Sequence, residues 1–188
     1  SIRCLRSNGM IYMFLANGFE ETEAVVPIDI LRRAGFDVKL ISITDELLVT
    51  SSHGVTIKAD TTFDETDFND AEMLFLPGGM PGTKNLDAHA GLCELLQDSA
   101  EKGVKLAAIC AAPSVFGNLG LLNGKEATCY PGFEDQLMGA SVSENPVVVS
   151  DNFITARGAG VAMKFALKLV EVLKGKKIAE ELAAAIIY

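Results

Sequence analysis

The chain has 188 residues, of which 49% are apolar and 22% charged, with a net charge of −9 and a pI near 4.7. That length suits one domain with a substantial core and is short for two. The acidic balance, unrelieved by any basic run, argues against nucleic acid or an anionic membrane as partner, and no apolar stretch approaches the ~18 residues of a membrane helix.

Residues 1–9 read as an N-terminal extension ahead of Met10, and residues 10–188 as a single domain. Arg3 and Arg6 before the apolar run from Met10 to Ala16 carry a faint look of a secretion signal, but the run passes into NGFEETE without a small-residue cleavage site. MIYMFLANG is predicted instead as a strand ending in a turn. In EETEAVVPIDILRRAGF, Val25, Ile28, Leu31 and Ala34 stand three apart, the core stripe of a helix closed by Gly35 as a left-handed cap. Asn17 followed by Glu20 fits a capping box, and Glu20, Glu21 and Glu23 suit the positive end of the helix dipole.

DVKLISI reads as a second strand. LLVTSSHGVTIKAD reads as a hairpin on the main sheet, turning at His53 and Gly54, and TTFDETDFNDA as polar loop. EMLFLPGGMPG is a buried strand entering a glycine- and proline-rich turn. GLCELLQDSAEK is an amphipathic helix stopped by Gly103, with Cys93 on its core side near Leu92 and Leu96. VKLAAI is the next central strand, followed by Cys110 and a helix to about Leu119. GKEATC leads through a turn at Tyr130-Pro131-Gly132 to a short helix around FEDQLM. VVVS and NFITAR are strands. GVAMKFALKLVEVLKG and KIAEELAAAII are helices, the last packed on the body or on a second subunit. Strands alternating with helices in this way predict an α/β fold, a doubly wound parallel sheet with helices on both faces.

Ligands of open α/β sheets bind beyond the carboxyl ends of the strands. Three junctions put unusual residues there: NGFEETE, PGGMPG and CAAPS. Cys110 stands at a strand-to-helix junction of the nucleophile-elbow kind, with Ala111 and Ala112 small enough to let the turn close. The N–H groups and dipole of the next helix would favour a thiolate. A cysteine after LAAI also fits a small core residue, so position alone leaves both readings open. Of the three glutamates, Glu23 is the one capping explains least, and it is the candidate to turn inward and share a proton with the thiolate. PGGMPG is no phosphate loop, because GK[ST] and GxGxxG are absent. Its glycines admit close backbone approach, so Gly79 and Ala111 are the candidate N–H donors to a developing oxyanion.

Cys4, Cys93, Cys110 and Cys129 form no CxxC pair, which speaks against a disulfide framework or structural zinc and for a reducing, cytoplasmic setting. His53 and His89 are unclustered and read as surface residues, so no metal is expected.

ANGFEETE, LRRAGF, FLPGGMPGTKNL, AAICAAPS, ATCYPGFE and TARGAG, in this order, resemble the ThiJ/PfpI superfamily, in the branch of the parkinsonism-associated protein deglycase. The resemblance runs from about Met10 to the C-terminus. It implies a flavodoxin-like, class I glutamine-amidotransferase-like α/β sandwich, a homodimer and no cofactor. It also implies a reactive Cys110 with Glu23 as its partner, Gly79 and Ala111 as backbone donors, and Arg157 of TARG near the cysteine. Two positions depart from the family. The peptidase-like branch has a histidine directly after the cysteine, where this chain has Ala111, so a cysteine peptidase is disfavoured. The parkinsonism protein has a histidine where this chain has Tyr130, and a phenol with a pKa near 10 is a poor base at neutral pH.

The expected function is therefore a cofactor-free enzyme on small α-oxoaldehydes such as methylglyoxal, or on their adducts, with Cys110 as nucleophile and Glu23 as proton shuttle. The alternative is a redox-sensing stress protein whose Cys110 is oxidised to a sulfinate. A thiamine-pathway role, also attached to the family, finds no phosphate loop to support it.

Overall fold

The computed structural model describes residues 9–188; the extension predicted at the N-terminus, Cys4 included, lies outside the described residues apart from Gly9. MIYMFL forms β1 (Met10–Leu15), buried on both faces from Ile11 onward, as a central parallel strand must be. After it come α1 (Glu21–Arg33), β2 (Asp37–Ser42), β3 (Leu48–Thr50), β4 (Thr56–Lys58), β5 (Thr61–Thr62) and β6 (Ala71–Leu76). The second half contains α2 (Gly82–Asp87), α3 (Ala90–Glu101), β7 (Lys105–Ile109), α4 (Pro113–Asn118), β8 (Glu126–Ala127) and β9 (Ser141–Val142). β10 (Val147–Ser150), β11 (Phe153–Ala156), α5 (Ala162–Lys174) and α6 (Lys176–Ala185) complete it.

The main sheet has the order β10-β11-β7-β6-β1-β2-β5 and is parallel except for β10, which runs antiparallel to β11. This is the doubly wound, flavodoxin-like α/β sheet. Alternation along β1 divides the core in two. Ile11, Met13 and Leu15 join Ile28 and Leu31 of α1, Phe165 and Leu169 of α5 and Leu182 of α6. Tyr12 and Phe14 join Leu92 and Leu96 of α3 and Phe116 of α4 on the other face. Each such fully buried side chain contributes about 1.5–3 kcal/mol. Because the chain leaves β1 toward β2 on one side and later fills β6, β7 and β11 on the other, the order reverses between β1 and β6. That is where an α/β sheet opens a crevice.

Several expectations change. Val25 is 46% exposed, and the buried apolar residues of α1 are Ala24, Pro27, Ile28, Ile30 and Leu31. A strict step of three falls about 60° short of a full turn each time, so it drifts off a face that steps of three and four follow. Gly35 does take the left-handed conformation, with φ of +86°. Asn17 is not the N-cap: its Oδ1 accepts the Thr50 N–H at 3.0 Å, while Glu20 caps α1 by accepting the Glu23 N–H at 2.8 Å. The hairpin β3–β4 is a sheet of its own, tied to the β1–α1 turn by Gly18 N–H to Thr50 O and Ser52 N–H to Phe19 O. The polar loop hides β5 and two aromatic anchors: Phe68 meets Tyr12 edge-on at 4.9 Å and Phe63 at 5.1 Å. Cys93 is half-buried beside the core of α3, its thiol directed at Asp87 O. α2 was not foreseen. α6 packs on α5 through Ala179 and Leu182.

Candidate active site

Three chain segments meet at the switch point. β7 delivers Cys110, whose φ of +67° lies in the left-handed region, at a cost of order 1–3 kcal/mol for a residue with a side chain. Its neighbours hold it there. The Cys110 N–H donates to Ala156 O at 2.9 Å, and its carbonyl accepts from Tyr130 N–H at 2.8 Å. With both backbone groups fixed, the thiol is aimed rather than free, and buried Ala111 and Ala112 let α4 begin at Pro113. This is the predicted elbow.

α1 delivers Glu23, which is completely buried. Its Oε1 accepts the Gly78 N–H at 3.1 Å, and its Oε2, sealed from solvent, has no hydrogen bond of ordinary geometry. The loop after β6 delivers Gly78 and Gly79. A Cβ on Gly78 would lie 2.6 Å from Glu23 Oε1 and 2.7 Å from Cys110 Cβ, so the acid and the thiol approach across a residue that must be glycine. Gly79 has φ of +91°, and a Cβ there would come within 2.5 Å of Glu20 N. Sequence reasoning chose Gly79 and missed Gly78, although the doubled glycine of PGG was the signal.

Burial, and then the negative charge of Glu20, push the Glu23 carboxyl up to about 7, against the pull of the Cys110 thiol and the Gly78 N–H. Burial, and then the charge and hydrogen bonding of Glu23, push the Cys110 thiol up to about 12, while the N–H groups of Ala111 and Gly79 pull it down. The expectation that the junction alone favours a thiolate is therefore corrected. α4 is only six residues long and starts three residues past the sulfur, so its dipole loses to desolvation and a nearby carboxylate. Each group shifts the other, so the two titrate as a coupled pair. When Glu23 is protonated, the charge opposing sulfur ionisation is gone and a carboxylic O–H faces the sulfur. The predicted donors Gly79 and Ala111 both direct their N–H groups at the sulfur.

Tyr130 and Arg157 stand beside this pair rather than in it. The Tyr130 backbone holds Cys110, but its side chain is 51% exposed, and its phenol has no hydrogen bond among the described residues. Arg157 follows Ala156, the acceptor of the Cys110 N–H, and lines with Tyr130 an open groove of about 590 Å³. Its charge acts on Cys129 and Glu134. Cys129, one residue before Tyr130, is buried, and burial followed by Glu134 pushes its thiol up to about 11.

The two histidines are engaged locally. His89 caps α3, its Nδ1 accepting the Leu92 N–H at 2.9 Å. His53 pairs through Nδ1 with Glu21 Oε1 at 2.8 Å, and with Glu20 it forms the one group of possible metal-ligating side chains that converges among the described residues. Glu20 is already committed to the cap and His53 to Glu21, so these three groups satisfy one another. No helix among the described residues is long and apolar enough to cross a membrane.

Known proteins resemble this chain in sequence and in fold. The family model of the DJ-1/PfpI family matches residues 10–172. Protein dj-1beta of Drosophila melanogaster is 36% identical over 93% of this chain and 95% of its own. Protein DJ-1 homolog B of Arabidopsis thaliana is 39% identical over 92% of this chain, which spans only 40% of that relative. Deglycase PfpI of Pyrococcus furiosus is 32% identical over 88% of this chain and all of its own length. Among solved structures, oxidized DJ-1 of Toxoplasma gondii superposes with a TM-score of 0.92 at 39% identity, covering 96% of this chain and 98% of the other. The match from β1 into α5 takes in the elbow, the inward glutamate and the doubled glycine together, and the chain belongs to the DJ-1/PfpI family.

Proposed function

We propose that this protein is a cofactor-free enzyme of the glyoxalase or deglycase kind, acting on small α-oxoaldehydes or their adducts through Cys110 and Glu23. One observation carries the reading: a fully buried carboxyl, pushed up to about 7 by burial, meets the thiol of a left-handed elbow across Gly78 at the switch point of the sheet. With the proton on Glu23, the sulfur attacks the aldehyde carbon of methylglyoxal, and the carbonyl oxygen takes up that proton as the hemithioacetal forms. The Gly79 and Ala111 N–H groups hold the oxygen while it carries charge. Glu23, now a carboxylate, removes the hydrogen from the former aldehyde carbon and returns it to the neighbouring carbon, while the hemithioacetal O–H proton passes to the ketone oxygen through the enediol, leaving a thioester of the 2-hydroxy acid. Water cleaves that thioester, releasing lactate and restoring the thiol. Glu23 supplies the proton transfers, so the reading does not depend on Tyr130. The test is lactate formation from methylglyoxal without added thiol. Wild type should turn over, Cys110→Ala should not, and Glu23→Gln should lose kcat more than affinity. Equal turnover in wild type and Cys110→Ala refutes the reading.

A second reading has its own support. Gly79, Ala111 and Glu23 all address the sulfur itself, and such a cradle would equally hold oxygens added to it, as in a sulfinate. Mild peroxide followed by mass spectrometry should then add two oxygens at Cys110 alone; equal oxidation of the four cysteines refutes it. A reducing cytoplasmic setting and a homodimer complete the proposal. Sedimentation velocity returning a monomer at micromolar concentration would remove the dimer.

A further inference from the structure

The groove between Tyr130 and Arg157 contains a cation without an anion among the described residues. Arg157 is half-buried and its Nε is sealed from solvent, yet its side chain forms no hydrogen bond or ion pair with any described residue. A half-buried guanidinium left this way is costly, because its Nε has lost water without gaining a hydrogen bond. Two carboxylates are near. Glu144 lines the same groove and Glu134 acts on Arg157 electrostatically, but neither pairs with it, and Glu134 instead accepts the Gly132 N–H at 2.7 Å.

The groove's position ties it to the reaction. One wall is Tyr130, whose N–H holds the Cys110 carbonyl; another begins at Arg157, next to the residue that accepts the Cys110 N–H. The floor from Gly158 to Gly160 has little side-chain bulk, and Pro131, Pro146 and Val161 supply apolar sides. We propose that this groove is a carboxylate subsite built on Arg157, and that its occupant is the acid end of a small 2-hydroxy acid. A guanidinium edge matches a carboxylate in geometry and charge. A single negative charge also meets less repulsion from Glu144 than a phosphate dianion would. That lactate is the occupant rests on the turnover proposed above: methylglyoxal is neutral and arrives without using the subsite, whereas the acid it becomes is the species Arg157 binds.

The experiment is an amide-resolved NMR titration of the wild-type protein with lactate and, separately, with lactamide, its neutral isostere. Lactate should shift the amides of Tyr130 and Gly158 to Val161 saturably, and lactamide should leave them in place. Arg157→Gln should weaken lactate binding at least tenfold, Arg157→Lys should retain part of it, and Glu144→Gln should strengthen it. Equal shifts with lactate and lactamide, or lactate binding unchanged in both Arg157 variants, overturn the subsite. So does an absence of lactate binding to a protein that elutes as a dimer, where a carboxylate of the second copy would already occupy Arg157. Methylglyoxal turnover measured on the same samples separates the two proposals. Turnover without lactate binding sinks the subsite alone, and lactate binding without turnover sinks the assigned reaction while the carboxylate subsite stands.

Discussion

Glu23 ties the stability of this protein to pH, and the sign can be worked out in advance. Its carboxyl is fully buried and titrates at about 7 in the folded chain, against 4.5 for an ordinary glutamate. An acid with a raised folded pKa binds its proton more tightly folded than unfolded. The stability it supplies is complete below the unfolded value and is lost as pH rises through the folded one. At ~1.4 kcal/mol per pH unit, moving from 4.5 to about 7 corresponds to about 3 kcal/mol, lost between roughly pH 5 and pH 8. Glu23→Gln removes the titration while preserving the shape and the acceptor for the Gly78 N–H. Urea unfolding of both proteins at intervals from pH 4.5 to 8.5 gives the difference curve, in which the other shared titrations largely cancel. The advantage of wild type over the variant should fall by about 3 kcal/mol across that range, or about 6–12 °C in Tm for a chain of this size. In a Cys110→Ala background the thiol's pull on the carboxyl is gone, so the midpoint should move to higher pH. A flat difference curve, or one that rises with pH, would show that Glu23 is ionised without penalty, and the shared-proton account would fail.

Other outcomes follow from the same geometry. Glu23→Gln should make Cys110 easier to ionise, since Glu23's charge and hydrogen bond both raise it, so iodoacetamide labelling at pH 9 should quicken several-fold even as turnover falls; slower labelling would contradict the assignment. Gly78→Ala places a methyl group 2.6 Å from Glu23 Oε1 and from the Ile109 carbonyl, and should cost more than about tenfold in kcat by displacing the acid from the thiol. Gly79→Ala adds strain at φ of +91° and a contact with the backbone of the turn between β1 and α1, and should lower unfolding free energy by about 1–3 kcal/mol in a denaturant titration. Tyr130→Phe should leave turnover within about twofold, because the phenol is exposed and holds nothing; a loss beyond tenfold would give that hydroxyl a role in the reaction.

The parts of the fold that could be read from sequence are those where one local rule operates alone. MIYMFL, EMLFL and VKLAAI have one stable fate, burial on both faces of a parallel sheet, and Gly35 ends α1 because the left-handed cap suits a residue without a side chain. Misreadings arose where tertiary contacts outweighed local pattern. Phe63 and Phe68 are two residues in a polar stretch, yet they anchor it against Tyr12 and Phe14. Asn17 has the right chemistry for a cap but is used by the hairpin backbone instead. The site divides along the same line. Cys110 was visible because an elbow is a local device, and Glu23 because capping explained Glu20 better than it explained Glu23. The electrostatic state of the pair was not visible, because it depends on burial and on how closely two elements far apart in sequence approach. Sequence placed a helix beyond the cysteine and so favoured a thiolate. The inward Glu23 was expected as well; its burial with the thiol, the largest influence on both groups, was not legible, and it outweighs the helix. In the proposed reaction, the acid that moves the proton is therefore also the group whose protonation frees the sulfur to ionise.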